Sequence, residues 1–126
     1  SKPLSKAVGF NVYFGANRTP GYMDDEAGKP VILLDKVIPA NIARAREMHQ
    51  TSLPIAKSVF FFLHELGHHH VGWDRWGKDT TLEVKANQWA AKNFLKMAPA
   101  MGIKPAQAQK LWKMLPDYFR NPEHGG

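Results

Sequence analysis

Two histidines four residues apart, with a glutamate beside the first, have the clearest chemical use in this chain: His64-Glu65-Leu66-Gly67-His68. On a helix, residues i and i+4 project from one face a turn apart, so both imidazoles can offer a nitrogen to one cation. Zinc takes such nitrogens at about 2.0–2.1 Å. Glu65 is turned about 100° from His64, because a helix has 3.6 residues per turn. Its carboxylate can lie beside a metal without binding it and take a proton from a water the metal has made acidic. The H-E-x-x-H pattern therefore points to a zinc-dependent metallopeptidase. The alternative is a pair of core histidines hydrogen-bonded to backbone. That reading is weaker, because two histidines and a glutamate on an otherwise apolar helix are costly to bury without a partner.

A catalytic zinc usually has three protein ligands and one open position. The 126 residues include no cysteine, so the third ligand is a histidine or a carboxylate, and a cysteine nucleophile is excluded. Asp74, Asp79 and Glu83 follow the motif. Glu83 is preferred, since a helix returning antiparallel would carry it over the face of His64 and His68. A second role stays open for it: Thr80-Thr81-Leu82-Glu83 also reads as a capping box. Asn87 lies one turn beyond Glu83 and could orient a histidine ligand from behind. His69 and His70 are rotated about 140° and 240° from His64 and belong on the surface or behind the site. His49 and His124 are not assigned as ligands. The group stabilising an oxyanion is open among Tyr118, Arg75 and His69.

The motif needs a helix, and Ile55 to Val71 reads as one. Thr51 and Ser52 offer cap oxygens, Pro54 suits the first turn, and Ile55, Val59 to Leu63 and Leu66 leave little polar circumference, so the helix should be buried. Phe10, Val12 and Phe14 alternate with Asn11 and Tyr13, which predicts a half-buried strand. Gly15 to Gly21 and Asp24 to Pro30 read as loop and turn. Val31 to Leu34 is a short apolar strand, expected at a sheet edge where an extended peptide substrate would align. Pro39 opens a helix to about His49. Gly72 to Lys78 breaks the motif helix, and further helices run from about Leu82 to Met97 and from about Pro105 to Phe119. Residues 119–126 read as a flexible tail. Trp73, Trp76, Trp89 and Trp112 are expected in core and pocket walls rather than as a nucleic-acid stacking platform. The expected architecture is a single α+β, zincin-like domain over residues 1–126. A small β-sheet packs on the motif helix, and the following helix supplies the third ligand.

Composition agrees with such a domain: 44% hydrophobic and 22% charged residues argue against disorder. No apolar run approaches the ~20 residues of a membrane helix. Ser1 to Phe14 has no long apolar stretch of a secretory leader, although an initial serine leaves room for an upstream piece; a cytoplasmic location is expected. The net charge of +6 and pI near 9.7 favour acidic partners. The lysines are scattered and no helix-turn-helix is recognisable, so no direct nucleic-acid binding is expected.

The segments His64-Glu65-Leu66-Gly67-His68 and Glu83-Val84-Lys85-Ala86-Asn87-Gln88-Trp89-Ala90-Ala91 resemble the ImmA/IrrE family of metallopeptidases. That family shows H-E-(L/I)-G-H followed by E-x-E-A-(D/N)-x-F-A-A. Lys85 stands in place of its second acidic residue, and Trp89 in place of its phenylalanine. The resemblance spans roughly Val31 to Pro99 and is specific in the two motifs. It implies zinc ligands at His64, His68 and Glu83, with Glu65 as general base. It also implies a protein substrate, in that family a repressor of a phage or mobile element. The rival expectation is a zinc-stabilised interaction or antirepressor module that binds without cutting.

Overall fold

In a computed structural model, which describes residues 2–16, 19–74 and 76–122, the motif helix starts where the sequence places its cap. Ser52 has extended backbone, and its hydroxyl accepts from the Ile55 N–H, which satisfies one orphan donor of the first turn. From there α3 runs over Leu53–Val71, with Ile55, Val59, Phe60, Phe62, Leu63 and Leu66 buried. Before it come α1 (Lys2–Val8), β1 (Asn11–Gly15), β2 (Gly21–Asp24), β3 (Pro30–Asp35) and α2 (Val37–Met48). After it come α4 (Thr80–Met97), a 3₁₀ turn (Ala98–Met101), α5 (Pro105–Met114) and α6 (Asp117–Arg120). The described residues thus form a small α+β domain of six α-helices and a three-stranded mixed sheet.

The strand order is β1-β3-β2, with β1 parallel and β2 antiparallel to β3. This corrects the expectation for Val31 to Leu34: the strand is central, and the edges belong to β1 and β2. Val31, Ile32 and Leu34 are buried, as a strand covered on both faces requires. β2 lies where loop and turn were expected on either side. In β1 only Val12 is buried; Tyr13 and Phe14 are 53% and 55% exposed, so the expected inward row of alternate aromatics is not formed.

Pairs His68–Glu83, Gly67–Ala86 and His64–Asn87 meet in opposite sequence order, so α4 returns antiparallel along the C-terminal half of α3. The return is close. A Cβ on Gly67 would sit 2.9 Å from the Ala86 carbonyl oxygen, so only glycine permits this approach. On the other side α2 packs through Ile38, Ile42 and Ala45, and Asn41 Nδ2 donates to Ser58 Oγ at 3.0 Å across the interface. Ala108, Leu111 and Leu115 around α5 complete the core.

The expected flexible tail is packed over its first part. Phe119 of α6 meets Phe60 edge-on with ring centroids 5.0 Å apart, and Pro122 is buried. Residues 123–126 lie outside the described residues. No described helix is long and apolar enough to cross a membrane.

Candidate metal centre

His64, Glu65 and His68 sit in the second half of α3, and Glu83 in the first turn of α4. The loop between these helices fixes their relation. Gly72 ends α3 at φ 111, a left-handed conformation that side chains disfavour. Asp74 then gathers the turn: its Oδ1 accepts from the Trp76 N–H, and its Oδ2 from the N–H groups of Lys78 and Asp79. Those backbone donors hold the Asp74 carboxyl below its usual pKa. Asp79 caps α4, its Oδ1 accepting from Thr81 N–H at 3.0 Å. Both aspartates weighed as third ligands are therefore engaged in the turn. The cap belongs to Asp79, which frees Glu83 from the capping-box alternative.

Glu83 Oε2 lies 2.7 Å from His68 Nε2 and 3.1 Å from His64 Nε2, and the two Nε2 atoms are 3.2 Å apart. The outer nitrogens explain what these contacts can be. His68 Nδ1 faces the Gly72 carbonyl oxygen at 3.0 Å, an acceptor only, so Nδ1 carries the proton. His64 Nδ1 meets Asn87 Oδ1 at 2.6 Å, and the same tautomer follows. Each Nε2 then presents a lone pair. With both rings neutral, three acceptors converge, an arrangement that a cation stabilises. Among the described residues, His64, His68 and Glu83 form a group able to hold a metal ion.

Electrostatics agree. Burial, and next His68 beside it, hold the His64 imidazole below its usual pKa against the opposing pull of Glu83, so it stays neutral and able to ligate. Glu65 is 7% exposed. Burial, and then the charge of Glu83, push its carboxyl up to about 8. It makes no hydrogen bond to another described residue.

Two hollows meet at this point. A cleft of about 1110 Å³ runs from His64, Glu65 and Glu83 toward the start of α3, between α2 and the C-terminal turn. A smaller pocket of about 160 Å³ lies on the His68 side, bounded by Gly21 and Tyr22 of β2 and by the 74–82 loop. Glu65 and Glu83 line both.

His69 and His70 point away from the metal group, as their rotation requires. His69 Nδ1 and the Tyr22 hydroxyl are 2.9 Å apart, and His70 stacks on Trp89 at 4.6 Å. Of the oxyanion candidates, Tyr118 is 66% exposed on the rim of the large cleft. His69 is tied to Tyr22, and Arg75 lies outside the described residues. The tryptophans divide. Trp112 packs against Phe94 and Trp73 lines the small pocket, but Trp76 is exposed.

Sequence reasoning takes Gly72 as a helix breaker and Asp74 as a possible ligand, but it misses that Gly67 sets the helix approach and that Asp74 gathers the turn, which together place Glu83. The signal was present as a glycine inside a helical run and an aspartate just after its end.

Comparison with known proteins gives no match: no family model, no curated protein and no solved structure matches the chain. The likeness to ImmA/IrrE metallopeptidases rests on the two motifs alone.

Proposed function

We propose that the chain is a zinc-dependent peptidase of zincin type, with His64, His68 and Glu83 as ligands and Glu65 as general base. The observation that carries this reading is the convergence of three lone-pair acceptors beside a buried carboxyl that lines an open cleft. The donor set fits zinc, since two imidazoles and one carboxylate make up a common catalytic site. A tetrahedral site with bonds of about 2.05 Å has ligand-to-ligand edges of about 3.3 Å. The separations of 3.2 and 3.1 Å lie close to such edges, and the 2.7 Å between His68 and Glu83 is shorter.

A bound zinc ion supplies Lewis acidity toward a carbonyl oxygen and lowers the pKa of water beside it. The protein's own groups do the rest. Asn87 and the Gly72 carbonyl fix both imidazoles with Nε2 inward. Glu65 takes the proton of the attacking water and passes it to the departing amine. A carboxyl pushed up to about 8 would be a protonated, idle base at neutral pH; a cation beside it restores the carboxylate.

The substrate is a protein segment in extended form. β2, the edge strand bordering the smaller pocket, takes the aligning role first expected of Val31 to Leu34. By motif resemblance, a phage or mobile-element repressor is the substrate to try first. The decisive comparison is Glu65→Gln against the parent, both loaded with zinc. Zinc content should be retained while turnover falls by about 10² or more. Equal turnover would reject Glu65 as the base.

A further inference from the structure

α3 leaves one stripe of its surface facing the large cleft. Pro54, Lys57, Ser58, Phe61, His64 and Glu65 recur at helical spacing and all line it. The stripe begins in the first turn of α3 and ends at the metal group. Opposite it stand Ile38 of α2 and Phe119 of α6, whose ring lies 6.0 Å from that of Phe61.

Lys57 is the one cation lining this cleft among the described residues. It is half-buried and makes no ion pair with any described carboxylate. Its ammonium instead lies 6.0 Å from the centre of the Phe119 ring. The cleft's carboxylates are placed elsewhere: Glu65 and Glu83 at the metal group, and Asp35 at the start of α2, where its Oδ1 accepts from the Val37 N–H. An ammonium with no ion pair among the described residues would gain from an anionic group brought by a ligand.

The distance defines that ligand further. Lys57 precedes His64 by seven residues, about 10.5 Å along the axis at 1.5 Å per residue. An extended peptide spans this in about three residues at 3.3 Å each. Building on the peptidase reading, we propose that the cleft selects an extended peptide bearing two marks. A large apolar side chain next to the cut packs on the exposed face of Phe61, and an acidic group about three residues away meets Lys57. The net charge of +6 draws such acidic segments in from a distance.

Recognition is measured apart from cleavage, on zinc-loaded Glu65→Gln protein, by fluorescence anisotropy. The probes are labelled decapeptide pools that fix Phe or Ala at one position and Asp or Lys three positions to either side. Phe–Asp pools should bind about tenfold tighter than Ala–Asp or Phe–Lys pools. In the same background, Lys57→Glu should reverse the preference between Asp and Lys at unchanged zinc content. Phe61→Ala, which alters a partly exposed ring, should erase the Phe preference and keep the Asp preference. Equal binding of all pools, no binding, or an Asp preference that survives Lys57→Glu overturns the proposal. The peptidase reading fails by a different result: parent protein that binds the Phe–Asp pool and leaves it uncut.

Discussion

Replacing Glu65 by glutamine should stabilise the metal-free protein at neutral pH while abolishing the proposed peptide hydrolysis. Glu65 is almost fully buried on α3, and burial plus the Glu83 charge raise its carboxyl from 4.5 to about 8. A carboxyl raised on folding binds its proton more tightly in the native state. It therefore contributes stability below its unfolded value, and that contribution is lost as pH rises through the folded one. With these two values, the contribution falls by about 2–3 kcal/mol between pH 5.5 and pH 7.5, taking 1.36 kcal/mol per pKa unit. For a chain of this length that is a shift in Tm of about 9 °C. Glutamine fills the same space without titrating. The titration of His64 is common to both proteins and cancels in their difference. Thermal unfolding of chelator-treated parent and Glu65→Gln at the two pH values measures the effect. The gap should widen by this amount toward pH 7.5 and close again when zinc is added, because the cation favours the carboxylate. A gap independent of pH in the metal-free proteins would refute the burial of an uncompensated Glu65 charge.

Three further outcomes follow from the same geometry. Asn87→Ala removes the oxygen that orients His64, and should weaken zinc about 10- to 100-fold in a chelator competition while the fold persists. Gly67→Ala places a methyl 2.9 Å from the Ala86 carbonyl oxygen, so α4 must move away and carry Glu83 with it; a stability loss of about 1–3 kcal/mol and weaker zinc are expected in the same titration. Zinc occupancy, followed by metal analysis after dialysis, should fall as pH drops because the ligands must be deprotonated. Since the His64 pKa is held below 6.5, its share of that loss should come at lower pH than for an ordinary imidazole.

The motif helix was legible because several local signals agree over Leu53–Val71: a serine cap, a first-turn proline and an apolar run from Val59 to Leu66 broken only at His64 and Glu65. Glu83 was legible as a carboxylate one short connection away. β2 was not. Gly21-Tyr22-Met23-Asp24 has no fully buried residue, so it shows no alternation, and its strand character comes from pairing with β3. The central place of β3 could have been read: Val31-Ile32-Leu33-Leu34 is continuous rather than alternating, which is how a strand covered on both faces looks. Phe119 fell at the seam between the expected last helix and the expected tail, because a four-residue helix has almost no local signal. Its position is decided by Phe60 and Phe61, some sixty residues earlier in the chain.

The choice between a catalytic and a purely structural metal turns on Glu65. A structural zinc is closed by four protein ligands, whereas the group here offers three among the described residues and adjoins an open cleft. A structural site also has no use for a carboxyl inside the helix that holds it. Glu65 is buried, has no hydrogen-bond partner among the described residues and is opposed by the charge of Glu83, so the metal-free fold is less stable for having it. Leucine or glutamine at this position would lift that cost and leave the three ligands in place. A residue that breaks the rule for buried charge, beside a metal group and facing a substrate-sized cleft, is where a fold gives up stability for chemistry. The zinc-stabilised binding module accounts for His64, His68 and Glu83 equally well, but it gives Glu65 nothing to do.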